Sequence, residues 1–411
     1  MTGEVQSFQA LEAQAQVMMS LLTAANYEVV APAVIQPADV FLDVVGETLR
    51  ARTYVFSDPD GTELCLRPDI TVPVARLHLA RLGQLPPTAG SQPAPARYCY
   101  NGPAFRYQPS GANEAHPREF RQAGLELLGA AEREAADAEV VTLTLRALEA
   151  AGLTGYSLRM GDIAIVASLL TALPIPERWR RRLMDRFWRP DAFRAELKRL
   201  STDPGEACRR LDADLRAAIR PDDRAGTERA IAAHAGVRGL ELSGARTFRD
   251  IADRLIEVVE DASLPKLPKL VTRTIGGLLA IEVPASEATA RIDTLVRAAG
   301  LDLSGVLRSA ELRLQLIAKA GLDTAAMTFE ADFGRTIEYY SGFVFEVHGP
   351  ALSLTSPVAG GGRYDRLMRV IGAGRDVPAV GSAIHTERVL RSVQAMAKSA
   401  IIPPARKGRA R

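Results

Sequence analysis

The chain has 411 residues, 47% of them hydrophobic and 24% charged, which is enough apolar material for a real core and more length than one ordinary domain needs. Its 51 basic and 49 acidic residues leave a net charge of +2, which excludes a global pull towards nucleic acid or a membrane surface. Three cysteines (Cys65, Cys99, Cys208) without a CxxC pair exclude a disulfide scaffold, and five scattered histidines without HExxH spacing argue against a metal centre.

In chain order, Phe8, Leu11, Ala15, Met18 and Leu22 recur at helical spacing, and Tyr27 to Val30 then read as a short strand stopped by Pro32. YVFSDPDGTELCL is a hairpin signal, two apolar runs around Asp58-Pro59-Asp60-Gly61, and RPDITVPVARLHLARLG follows as a helix ended by Gly83. RYCYNGPAFRYQ and REFRQAGLELLG read as strands joined by the polar loop PSGANEAHP, with a helix over 134–151 and a strand near YSLRMGD behind them. The order predicts an α+β fold, an antiparallel sheet flanked by helices.

Beyond YSLRMGD, Arg, Asp, Glu and Ala dominate with helical periodicity, so a mostly helical insertion is expected over 169–322. Strand signals return in MTFEADFG and TIEYYSGFVFEVHG, followed by the glycine loop AGGGRYD and by AVGSAIHTERVL, a strand running into a helix. A sheet domain is therefore expected in two parts, 1–168 and 323–395, with 396–411 as a disordered basic tail. With no apolar run near about 18 residues and no charged-then-apolar leader, a cytoplasmic protein without a membrane span is expected.

Strand alternation picks out the residues that could carry chemistry. In REFRQAGLELLG one face presents Arg118, Phe120, Gln122, Gly124 and Glu126, a polar pair flanking a glycine that leaves room for a small ligand. LRPDIT sets Asp69 and Thr71 two residues apart at a strand-to-helix junction, either as a helix cap or as an acid and hydroxyl converging on an ammonium group. FGRTIEYYSGFVFE places Glu338, Tyr340 and Gly342 on one strand face behind Arg335, with Tyr339 reading as packing and Tyr340 as a ligand contact. In AVGSAIHTERVL the face Gly381, Ala383, His385 is nearly bare and then closed by an imidazole.

LRPDIT, FRYQ, REFRQAGLELLG, RTIEYYSGFVFE, AGGGRYD and AVGSAIHTERVL stand in the order seen in histidyl-tRNA synthetases, and the chain resembles that family over roughly 7–165 and 325–392. The resemblance implies a class II aminoacyl-tRNA synthetase-like fold, usually dimeric. It also implies a histidine pocket: Asp69, Thr71 and Gln122 on the amino group, Glu126 and Tyr340 on the imidazole, Arg335 on the carboxylate, with Tyr339 beside them. These groups supply the acids, hydroxyls and cation that free histidine needs, and such groups reject ligands that cannot pair with them.

The chain departs from the synthetase pattern where the nucleotide would lie. A family glycine is replaced by His385 and the adenine-contacting Glu by Gln108, while the nucleotide-binding arginines are kept as Arg106 and Arg388, so these four are read as a vestigial nucleotide site. Only 23 residues follow Arg388, too few for an anticodon-binding domain. The combination is similar to the regulatory subunits of ATP phosphoribosyltransferase, non-catalytic paralogues of the synthetase. That resemblance implies no catalytic residue, no cofactor and no metal, L-histidine as allosteric ligand, and a short-form catalytic subunit as partner in the first step of histidine biosynthesis. It further implies self-association as a dimer, a hetero-octamer with that partner, and no tRNA. The alternatives are a truncated active histidyl-tRNA synthetase or another class II paralogue.

Overall fold

The computed structural model describes residues 2–42, 49–84, 94–109, 111–113, 116–239, 247–334, 339–350 and 352–401. The chain divides into two compact units, one formed by 1–172 with 277–411 and the other by 173–276.

The first unit is built on a nine-stranded sheet. Its strands are β1 (Glu28–Val29), β5 (Ala96–Phe105), β6 (Glu119–Leu128), β7 (Ser157–Asp162), β8 (Glu282–Pro284), β9 (Thr328–Glu330), β10 (Phe343–His348), β11 (Ala359–Arg363) and β12 (Ala379–His385). The spatial order is β1-β5-β6-β12-β11-β10-β7-β9-β8. Every pairing is antiparallel except β1 with β5 and β7 with β9. A second sheet of order β2-β4-β3 joins β2 (Ile35–Pro37), β3 (Tyr54–Ser57) and β4 (Glu63–Leu66), the hairpin expected around Asp58–Gly61.

One face of the large sheet is apolar. Cys99, Leu125, Leu127, Val380 and Ile384 are buried there, and β5, β6 and β12 contact the helices Thr2–Ala24 and Arg133–Ala150. Met18 and Leu22 of the first helix and Val141, Leu145 and Leu148 of the second complete this layer, each large side chain contributing about 1.5–3 kcal/mol by leaving water. The opposite face carries Gln122, Gly124, Glu126, Gly381 and Ala383, the faces that period-two reading separates.

Four expectations change. The helical segment expected over 169–322 is a compact unit only over 173–276. Residues beyond it return to the sheet unit, where β8 pairs with β9 and the helix Ser304–Lys319 packs on Arg133–Ala150. A three-residue strand among alanine-rich helices leaves too little pattern to see. Next, AGGGRYD is a central strand and not a loop, because β11 runs so close to β12 that a Cβ on Gly361 would sit 2.1 Å from the Gly381 carbonyl. Finally, Tyr340 and Gly342 precede the strand that begins at Phe343, and 335–338 lie outside the described residues. The helix Thr386–Ile401 also runs into the segment expected as a tail, of which 402–411 lie outside the described residues.

The second unit is helical among its described residues. Its core holds Trp179, Leu183, Phe187, Phe193 and Leu200. Asp261, 1% exposed, accepts from Trp179 Nε1 at 2.6 Å, from Arg182 at 2.6 Å and from Arg199 at 2.8 Å, a buried acid whose partners hold it below its ordinary pKa despite the burial that opposes them. No helix among the described residues is long and apolar enough to cross a membrane.

Candidate functional site

Register places the site. Gly381 lies opposite Glu126, Ala383 opposite Gly124 and His385 opposite Gln122, while Tyr98, Tyr100 and Gly102 of β5 lie opposite Glu126, Gly124 and Gln122. Directly opposed residues share a face, so these three strands present one continuous surface.

Glu126 is fully buried at its centre. The Tyr100 hydroxyl donates to Oε1 at 3.1 Å and the Tyr364 hydroxyl donates to Oε2, and the Thr71 hydroxyl also bonds the carboxyl group. The strand beneath makes way for it: a Cβ on Gly381 would lie 1.5 Å from Glu126 Oε2, and one on Gly124 would lie 2.4 Å from the Tyr100 hydroxyl. The bare face of β12 is therefore filled by the Glu126 carboxylate and not left open.

Asp69, Thr71 and Gln122 converge on the same place. Thr71 opens the helix Thr71–Gln84, Asp69 Oδ1 accepts from the Val72 N–H at 3.3 Å, and Gln122 Oε1 accepts from the Ile70 N–H at 3.2 Å. Asp69 thus serves the helix end and still faces the pocket, since its charge raises Glu126. Tyr339 and Tyr340 are both buried with ring centroids 4.9 Å apart, and Tyr339 meets Tyr364 edge-on at 5.7 Å and bonds Thr71. Tyr339 lines the pocket, where its place in a strand-like run reads as packing and the family resemblance sets it beside the ligand groups. Arg335 lies outside the described residues.

Burial dominates the electrostatics. It pushes Glu126 up to about 8, the Asp69 charge adding to it and the bonds from Tyr364, Thr71 and Tyr100 opposing it. Burial likewise holds Tyr100 and Tyr364 well above the usual tyrosine value. Two buried carboxyl groups, Asp69 and Glu126, whose charges interact make a site complementary to a cationic ligand carrying N–H donors. In the folded chain Glu126 is mostly protonated near neutral pH, while the unfolded chain ionises near its ordinary 4.5. The raised value means stability is lost as pH rises between these values and levels off above about 8. The thermal midpoint of Glu126→Gln should therefore gain on that of the unsubstituted chain from pH 5 to about 8. A gap that stays constant across that range would contradict the assignment.

The four residues read as a vestigial nucleotide site form a second cluster next to the first. The His385 ring stacks on Phe120, centroids 4.7 Å apart at 28°, and the Arg106 guanidinium stands 5.1 Å from the same ring. Arg106 Nε donates to the Pro68 carbonyl at 2.9 Å. Gln108 is tied to the Pro117 carbonyl at 2.9 Å and accepts from Arg52. Arg388 donates to the Pro357 carbonyl at 2.9 Å, and burial, then the Arg106 charge, lowers it to about 10. His385 is thus packed into an aromatic stack with Phe120. Among the described residues no group of three or more His, Cys, Asp or Glu is arranged to hold a metal ion.

Sequence reading overlooked Tyr100 and Tyr364. Alternation along RYCYNG sets Tyr98, Tyr100 and Gly102 on one strand face, and Tyr364 follows the three glycines of AGGGRYD, but only the register of β5 on β6 brings Tyr100 opposite Gly124.

Comparisons with known proteins follow this geometry. The family model described as histidyl-tRNA synthetase matches residues 4–263 and 251–389. An ATP phosphoribosyltransferase regulatory subunit of Brucella anthropi is 34% identical over 367 residues, covering 88% of this chain and 92% of the relative. That of Brucella canis is 34% identical over 369 residues, covering 90% and 94%. Among solved structures, an ATP phosphoribosyltransferase regulatory subunit/histidyl-tRNA synthetase from Bacillus halodurans is similar in fold with a TM-score of 0.63 at 20% identity, covering 94% of this chain and 79% of the other. A histidyl-tRNA synthetase from a Nostoc species gives 0.60 at 13% identity, covering 96% and 73%. The class II synthetase-like fold expected from the motifs is the fold observed.

Proposed function

This chain belongs to the ATP phosphoribosyltransferase regulatory subunits, and from that premise we propose that it binds L-histidine and regulates a separate catalytic subunit without catalysing a reaction itself. The observation that carries the reading is the buried set Asp69, Thr71, Gln122 and Glu126 under a tyrosine wall. Its acids suit the ammonium and ring N–H groups of histidine, and Tyr100, Tyr339 and Tyr364 close it to water. No cofactor is required by this role.

The partner is a short-form ATP phosphoribosyltransferase catalytic subunit acting at the first step of histidine biosynthesis, and the assembly is a hetero-octamer built on dimers of this chain, in the cytoplasm and without tRNA. Histidine favours an inhibited arrangement through its differential affinity for two states, with a coupling of about 1–3 kcal/mol. The second reading, an active histidyl-tRNA synthetase, is favoured by one observation, the proximity of Arg106 and Arg388. Against it stands the His385 ring on Phe120, which takes the aromatic surface that a base would stack on.

One experiment separates the two. Added to a short-form catalytic subunit, the chain should raise phosphoribosyl transfer and make it sensitive to histidine. Robust histidine-dependent ATP–pyrophosphate exchange by the chain alone would overturn the regulatory reading in favour of a synthetase.

A further inference from the structure

Behind the pocket, on the apolar face of the sheet, five charged side chains are buried together. Arg363 donates to Asp137 Oδ1 from Nε at 3.0 Å and from Nη2 at 2.6 Å, and to Asp365 Oδ1 from Nη1 at 3.0 Å. Arg313 donates to Asp137 Oδ2 and to Asp162 Oδ2, each at 2.8 Å. All five are less than a tenth exposed. The half-exposed Arg133 adds a contact to Asp365 Oδ2 at 3.0 Å.

Such a chain of buried ions is weak support for stability, because desolvation offsets most of the attraction. What a guanidinium fork between two carboxylates does supply is a fixed orientation. Here the orientation is passed through the sheet. Arg363 points to the back face, and the next residue, Tyr364, turns forward to bond Glu126. The Arg363 carbonyl accepts from the Ser341 N–H at 2.8 Å and the Asp365 N–H donates to Ser341 Oγ at 3.2 Å, which ties down the segment bearing Tyr339 and Tyr340. The Ala379 N–H donates to Asp365 Oδ1 at 2.8 Å, and the Tyr364 N–H donates to the Ala379 carbonyl at 2.8 Å, which fixes the start of β12 two residues before Gly381. Three walls of the pocket therefore meet at the segment 363–365, whose two charged side chains, Arg363 and Asp365, are bonded to each other on the far side of the sheet.

We propose that Arg363, held by Asp137 and Asp365, is the positioning residue of the ligand pocket, setting Tyr364 on Glu126, Tyr339 and Tyr340 beside it, and β12 beneath it. The role rests on the histidine reading given above.

Calorimetric titration of L-histidine into the full chain from pH 6 to 9 tests it, with Arg363→Lys and Asp365→Asn beside the unsubstituted protein. Lysine keeps the charge and loses the fork. Histidine affinity should fall about tenfold, the worth of one hydrogen bond to a charged group, while thermal melting stays cooperative. The pH midpoint of binding should also move upwards. Glu126 is faced by Tyr100, Tyr364, Thr71 and the Asp69 charge, and a displaced Tyr364 withdraws one of the bonds that favour its ionised form. A purely structural role would lower the melting temperature and leave that midpoint in place. Unchanged affinity and midpoint in folded Arg363→Lys and Asp365→Asn overturn the positioning role alone. Loss of cooperative melting in both overturns it too, assigning the ion chain to the fold. If the unsubstituted chain binds no histidine, the function reading falls and takes this role with it.

Discussion

Replacing Glu126 by alanine should weaken histidine binding by about 100-fold or more, because removing one partner of a buried charged pair costs ~2–5 kcal/mol. The side chain is fully buried and bonded by Tyr100 and Tyr364, so no neighbour can take over its role. The fold should survive. Burial already pushes the carboxyl up to about 8, so it is mostly neutral at pH 7 and little folded-state ion pairing is lost there. What remains is the hydroxyls of Tyr100, Tyr364 and Thr71 deprived of an acceptor, about 1–3 kcal/mol for each one left without another partner. Calorimetry with histidine and a thermal melt measure the two parts. Unchanged affinity would place the ligand somewhere other than this pocket.

Gly381→Ala should reach nearly the same loss of affinity while leaving the carboxylate in place. The new methyl group would stand 1.5 Å from Glu126 Oε2. The strand cannot retreat, since β12 is paired with β6 on one side and β11 on the other. The carboxylate must therefore swing away from Tyr364, and forcing one methyl group into a filled space costs roughly 1–3 kcal/mol of stability. Urea unfolding reads that cost and calorimetry reads the affinity. The double variant with Glu126→Ala should bind no worse than Glu126→Ala alone, because both changes remove the same interaction. Full additivity, or wild-type affinity in Gly381→Ala, would detach the placement of the carboxylate from its function.

Much of this site was legible in the sequence because alternation along a strand is geometric. Gln122, Gly124 and Glu126 had to share a face, and so did Gly381, Ala383 and His385, whatever packed on them. What alternation cannot supply is register. The opposition of Gly381 to Glu126 and the diagonal stacking of His385 on Phe120 depend on which residues of two distant strands meet. The small side chains of β12 therefore read as cleared ground for a nucleotide, where the structure fills them with a carboxylate from the neighbouring strand. Tyr100 and Tyr364 stayed hidden for another reason. An aromatic in a strand is core unless its hydroxyl has a buried partner, and that partner is Glu126 in both cases. The sheet and its flanking helices were readable from periodicity, whereas the return of 277–330 to the sheet depends on three-residue strands that carry almost none.

The pairing of β6 with β12 has a bearing on how the protein is made. During synthesis the β5–β6 hairpin leaves the ribosome with the β6 edge open, and the whole of 173–276 must follow before its neighbour exists. Pairings between such distant segments form late, and an uncovered edge invites wrong partners. A nascent chain interrupted before Ala379 has Glu126 but no strand beneath it and no β12 to cover that edge. The pocket is thus completed only when β12, the last strand in chain order among the described residues, has emerged and paired with β6.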